Sequence, residues 1–200
     1  ADSWLTQIAY VKEQWKAAFA WRFGKCGGDN SSPTNRRGTQ AAVNALSCAN
    51  TFGGPDSQPY TNNFGLSWAW QPKQKGTVVP SVSLGYGYTA YSQEGISAST
   101  GSTFGALGTW NDASRKAFPG VGNIAATQSW TVALQWSDAL VKGNSAGMAV
   151  GQPSFVTATR NGNTPQDGNY AWEWWYKFKV SDQISLTPTI FYLSNPSSAG

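Results

Sequence analysis

Chemistry in this chain has few residues to work with. Histidine is absent from all 200 positions, and the only two cysteines are Cys26 and Cys48. A Ser/His or Cys/His nucleophile and base pair therefore cannot be assembled. Paired carboxylates remain as the other hydrolytic device, and they must stand ~5–9.5 Å apart across a scissile bond. Glu173 is the one acid at the centre of a strongly patterned segment, whereas Asp138, Asp167 and Asp182 fall in turn-like stretches. No catalytic residue is assigned on this basis, and no cofactor is implied. Gly85-Tyr-Gly87 lacks both the third glycine and the following helix of a phosphate cradle. Metal binding finds no donor set either, because no His accompanies the cysteines. The two cysteines suit a disulfide closing residues 26–48, which implies an oxidising compartment; two free thiols are the alternative.

Glu173 sits in a segment that does speak. Tyr170-Ala-Trp-Glu-Trp-Trp-Tyr-Lys-Phe-Lys-Val180 alternates so that Tyr170, Trp172, Trp174, Tyr176, Phe178 and Val180 share one face. Ala171, Glu173, Trp175, Lys177 and Lys179 share the other. Period two is a strand signature. A soluble sheet needs a second layer over such an aromatic face, while a membrane barrel sets it against lipid and turns the charged face to a wet lumen.

Composition agrees with an all-β chain. Charged residues make up 12%, against roughly a quarter in average globular domains. Eleven Trp, eight Tyr, nine Phe and 22 Gly are the enrichment of twisted antiparallel strands with aromatic girdles. The mean hydropathy is nevertheless negative, and no apolar run approaches the ~20 residues of a spanning helix. A net charge of +4 on scattered cations gives no basic patch, so nucleic acid is not an expected partner. The start, Ala1-Asp-Ser-Trp4, has neither the charged nor the apolar region of a signal peptide.

The same template predicts strands near residues 4–11, 15–25, 62–72, 78–91, 128–138, 146–156, 168–180 and 183–194. The first can also be read at helical spacing, through Trp4, Ile8, Trp15 and Phe19. Connections alternate in length: short at 12–14, 72–76, 138–145 and 181–182, long at 26–61, 92–127 and 157–167. A short helix is expected at Thr39 to Leu46 within the first long loop. Tight turns at one end and long loops at the other are the asymmetry of outer-membrane barrels. Fold class is therefore an antiparallel transmembrane β-barrel forming one domain over 1–200. Its polar positions Gly65, Ser67, Ser81, Ser83, Gly85, Gly87, Gly147 and Gly151 are too small to fill an eight-stranded interior. With the short turns on the periplasmic side, both chain ends lie on the outer side. Further strands are then expected before Trp4 and after Leu193.

Lys16, Arg22, Glu173, Lys177 and Lys179 are the candidate lumen-facing charges. Charged rings bias ion passage through pores, although solubility alone explains each residue taken singly. Trp68, Trp70, Trp172, Trp174 and Tyr176 are read as girdle aromatics, with a sugar-stacking platform as the alternative. A secreted β-sandwich or lectin-like module binding sugar is the second functional reading.

Three stretches resemble a known group: Val78-Val-Pro-Ser-Val-Ser-Leu-Gly-Tyr-Gly-Tyr88; Gln128-Ser-Trp-Thr-Val-Ala-Leu-Gln-Trp136 running through Lys142-Gly-Asn144 to Met148-Ala-Val-Gly-Gln-Pro153; and Asp167-Gly-Asn-Tyr-Ala-Trp-Glu-Trp-Trp-Tyr176 continuing to Ile184-Ser-Leu-Thr-Pro188. They resemble the cyanobacterial outer-membrane porins, relatives of carbohydrate-selective porins that are also labelled iron uptake porins. That resemblance implies a barrel of about sixteen strands, within the bacterial range, of which this chain is the C-terminal half. It also implies passive diffusion of ions and small solutes, outer-membrane lipid as surroundings, and a cell-wall-binding domain outside this chain. Self-association into a homo-oligomer is left open. No His/Asp/Glu cluster resembles an iron site.

Overall fold

The computed structural model describes residues 3–25, 60–74, 76, 78–91, 123–160, 164 and 168–194. Among them every regular element is a strand. These are β1 (Ser3–Val11), β2 (Trp15–Lys25), β3 (Tyr60–Trp70), β4 (Ser81–Tyr91), β5 (Asn123–Ser137), β6 (Ser145–Arg160), β7 (Ala171–Lys179), β8 (Ser185–Leu186) and β9 (Thr189–Leu193). They form one antiparallel meander in sequence order, with β8 and β9 both paired to β7. The sheet is open, since β1 and β9 occupy its two edges. Cys26, Cys48 and Thr39 to Leu46 lie outside the described residues.

Four short connections gather at one end. Lys12 and Trp15 exchange backbone hydrogen bonds at 2.9 and 3.3 Å, closing the first hairpin over Glu13 and Gln14. Segments 71–80, 138–144 and 180–184 complete the set. β1 and β7 have 9 residues and β2, β3 and β4 have 11, the ~9–11 that a tilted strand needs to span a bilayer.

Three of the differences from the expected strand bounds have clear physical reasons. β5 starts at Asn123 and β6 runs on to Arg160. Their outer ends pair through register shifts between Ile124 and Trp130, which break the period-two pattern on which the expectation relied. The final strand is split into β8 and β9, because Pro188 has no N–H to give the ladder. Pairing resumes at once, with Tyr176 N donating to Pro188 O at 3.2 Å.

The sheet has no second layer among the described residues. The buried apolar residues are Ala126 and Val156, each 4% exposed, while Phe19, Phe64, Leu66, Leu84, Tyr86, Trp174 and Ile190 are 36–69% exposed. Cross-strand register puts these large residues on one face. Tyr10 is opposite Ala17, Ala17 opposite Trp68, Trp68 opposite Leu84, and Leu84 opposite Val132. Aromatics on this face contact one another in T-shaped, tilted and stacked pairs. Trp4 meets Trp21 at 5.0 Å, Tyr10 meets Trp15 at 5.1 Å, and Tyr176 meets Phe178 at 4.5 Å. A water-soluble monomer seldom exposes an apolar patch beyond ~300–600 Å², far less than a whole sheet face.

Candidate functional site

The opposite face is built from small and polar residues, and register fixes its membership. Lys16, Ala18, Ala20, Arg22 and Gly24 of β2 stand beside Ala69, Ser67, Gly65, Asn63 and Thr61 of β3. These lead to Ser83, Gly85, Gly87 and Thr89 of β4, then to Ala133, Thr131, Ser129 and Thr127 of β5. Ala149, Gly147 and Ser145 of β6 face Glu173, Trp175 and Lys177 of β7. All five candidate charges therefore share one face of one sheet.

They share the face without forming a cluster. β2 and β7 are five strand spacings apart, roughly 24 Å along the sheet. Lys16 lies at the turn end between Val11 and Ala69, and Arg22 lies near the loop end between Leu5 and Asn63. Glu173 is half-buried between Ala149 and Phe191. Lys177 is exposed beside Ser145. Lys179 is engaged at the turn, where its Nζ meets Asp182 Oδ1 at 2.6 Å and its backbone N donates to Asn144 Oδ1 at 2.9 Å.

Two features of this face depend on register, which no single strand displays. First, the Trp175 indole lies across Gly147. A Cβ built on that glycine would collide with Trp175 Cζ2 and Cε2, so the ring rests against bare backbone. Glycine at 147 is what lets the indole lie flat. Second, a polar ladder crosses β2, β3 and β4 near the loop end. Thr89 Oγ1 donates to Asn63 Oδ1 at 2.9 Å, Asn63 Nδ2 to Thr61 Oγ1 at 3.2 Å, and Thr61 Oγ1 to Gly24 O at 3.2 Å. Two shallow recesses also open here. One of about 240 Å³ is lined by Thr131, Ala149, Gly151, Glu173 and Phe191 among others. Another of about 250 Å³ at the turn end includes Lys16, Gln71, Ser83 and Gln135.

Two indoles on the aromatic face are paired with amide side chains. Trp21 Nε1 donates to Asn62 Oδ1 at 3.0 Å, and Trp130 Nε1 to Gln152 Oε1 at 3.1 Å. That is what a hydrocarbon-facing surface demands of amides.

An aromatic outer face, a face of small polar residues and charges, and tight turns collected at one end define the wall of a porin-type β-barrel. The model of the carbohydrate-selective porins, the OprB family, matches residues 26–199, and the chain belongs to that family. Porins of this family are outer-membrane channels. No curated protein and no solved structure matches the chain.

Proposed function

We propose that this chain walls part of a water-filled channel through which sugars, inorganic ions and other small hydrophilic solutes diffuse passively, with the small-residue face as the lumen. The opposition of the two faces carries the reading: Gly, Ala, Ser and Thr leave room for water where an aromatic lining would fill it. A backbone edge cannot stand bare in hydrocarbon, so β1 and β9 are closed by further strands in the assembled barrel. The motifs ending at Pro188 favour the cyanobacterial branch, with its outer-membrane location. Within the lumen, Trp175 offers a flat apolar surface flanked by Glu173 and, across Gly147, Gln135. An aromatic plane beside hydrogen-bonding groups suits a pyranose ring. The sandwich alternative needs a second sheet over the aromatic face, and the described residues provide one sheet.

Liposome swelling tests the reading. Proteoliposomes should swell in isotonic mono- and disaccharides, and Trp175→Ala should slow sugar entry while leaving single-channel conductance in KCl intact. Absence of swelling with any sugar or salt sinks the channel; equal sugar entry with and without Trp175 removes only its stacking role.

A further inference from the structure

At the turn end, one surface is left unused by the channel. The 138–144 turn is rigidly braced: Gly143 N donates to Asp138 Oδ1 at 2.7 Å, Val141 N to Ala139 O at 2.7 Å, and Asn144 N to Val141 O at 3.1 Å. Tyr176 fastens it to the outside of the sheet. Its hydroxyl donates to Ala139 O at 2.7 Å and accepts from Asn144 Nδ2 at 3.1 Å, and Tyr176 lies on the aromatic face. The 71–80 turn leans against this assembly. Gly76 N donates to Ser137 O at 3.1 Å, and the outer-face Trp136 donates from Nε1 to Val78 O at 2.8 Å.

These braced turns display apolar side chains. Leu140 is 95% exposed, Val78 92% and Val141 60%. Leu140 also has φ of 63°, a left-handed conformation that costs any residue with a Cβ. A strained leucine held outward gains nothing in water. Cations accompany it: six of the seven described lysines, Lys12, Lys16, Lys73, Lys142, Lys177 and Lys179, lie at this end of the sheet and Lys25 at the other, against Glu13, Asp138 and Asp182. Of those acids, Asp138 accepts from Gly143 and Asp182 is paired with Lys179.

We propose that the two turns form a docking surface for anionic phospholipid. Val78, Leu140 and Val141 enter the boundary between headgroups and acyl chains, and Lys142, with Lys73 from the neighbouring turn, meets the lipid phosphate. Apolar tips beside a Trp and a Tyr belong at that boundary, and lysines beside it attract anionic leaflets. The inference rests on the barrel reading, and the experiment separates the two.

In the intact porin chain carrying Cys26→Ser and Cys48→Ser, spin labels are placed at Leu140→Cys and Leu66→Cys in phosphatidylcholine bilayers containing phosphatidylglycerol. Both labels should favour oxygen over a nickel chelate as collision partner. A label at 140 open to nickel beside a lipid-facing label at 66 overturns the docking surface alone and points to an aqueous macromolecular partner. Both labels open to nickel overturns the barrel reading beneath it. Lys142→Gln should reduce phosphatidylglycerol retained in detergent, seen by native mass spectrometry, about fivefold relative to phosphatidylcholine. Lys142→Arg should keep it, and unchanged retention in Lys142→Gln overturns the phosphate contact.

Discussion

Leu66 and Ser67 are neighbours on β3, yet they belong to different solvents. Leu66 faces Phe19 and Tyr86 across the strands, while Ser67 faces Ala18 and Gly85. Both are exposed to a similar degree in the isolated sheet. Exposure therefore does not distinguish the two faces; side-chain volume and polarity do. One face offers hydrocarbon a surface of aromatic and branched residues, and the other offers water a thin wall. A soluble protein uses alternation to separate core from solvent. Here alternation separates two liquids, and the sheet between them has almost no core of its own.

The strongest way to break that contrast is to put one charge on each side. Leu66→Arg should destabilise the folded barrel by ~2–4 kcal/mol, the cost of an arginine at the lipid midplane. Ser67→Arg, one residue along, should cost under ~1 kcal/mol because water can reach it. Reversible urea unfolding in lipid vesicles measures both. Similar losses at the two positions would mean that the faces do not meet different solvents.

A smaller effect is expected within the polar face, where Trp175 is the one large aromatic lying against glycine. Gly147→Val drives side-chain atoms into the indole and should destabilise by ~1–3 kcal/mol, the usual range for overpacking. Removing the ring removes the clash, so Gly147→Val with Trp175→Ala should lose less than the sum of the single changes. That cycle measures the contact directly. Additive losses would show that the ring does not depend on the bare backbone beneath it.

Much of this was legible from residues alone, because alternation reports the faces without any structure. Trp175 was visible as the odd aromatic among Glu173, Lys177 and Lys179. Its seat on Gly147 was not, since β6 and β7 can be set in register only when both are in place. Similarly, Asn63 and Thr89 fall within two expected strands, but their bond to one another shows only when pairing sets them side by side. The outer ends of β5 and β6 escaped notice because bulges shift their parity. Leu140 is not legible in the sequence because the short run Ala139-Leu140-Val141 between two strands carries no periodic signal, and its conformation is a property of the backbone.

The lumen charges give the smallest effect and the finest comparison, between two lysines two residues apart on β7. Both stand on the polar face at the turn end. Lys179 is tied to Asp182 at 2.6 Å, so part of its field is already cancelled. Lys177 faces Ser145, a neutral partner. Reversing Lys177 alone should therefore lower the anion to cation permeability ratio more than reversing Lys179 alone, because charge on a pore wall biases passage according to the field that reaches the ion. Reversal potentials across a planar bilayer in a KCl gradient measure the two variants, Lys177→Glu and Lys179→Glu. Raising the salt should shrink both shifts, since the Debye length falls from ~10 Å at 0.1 M to ~3 Å at 1 M. An unchanged reversal potential in Lys177→Glu would place this part of the polar face away from the ion path. Equal shifts from the two lysines would mean that Asp182 is too well hydrated to mask its partner.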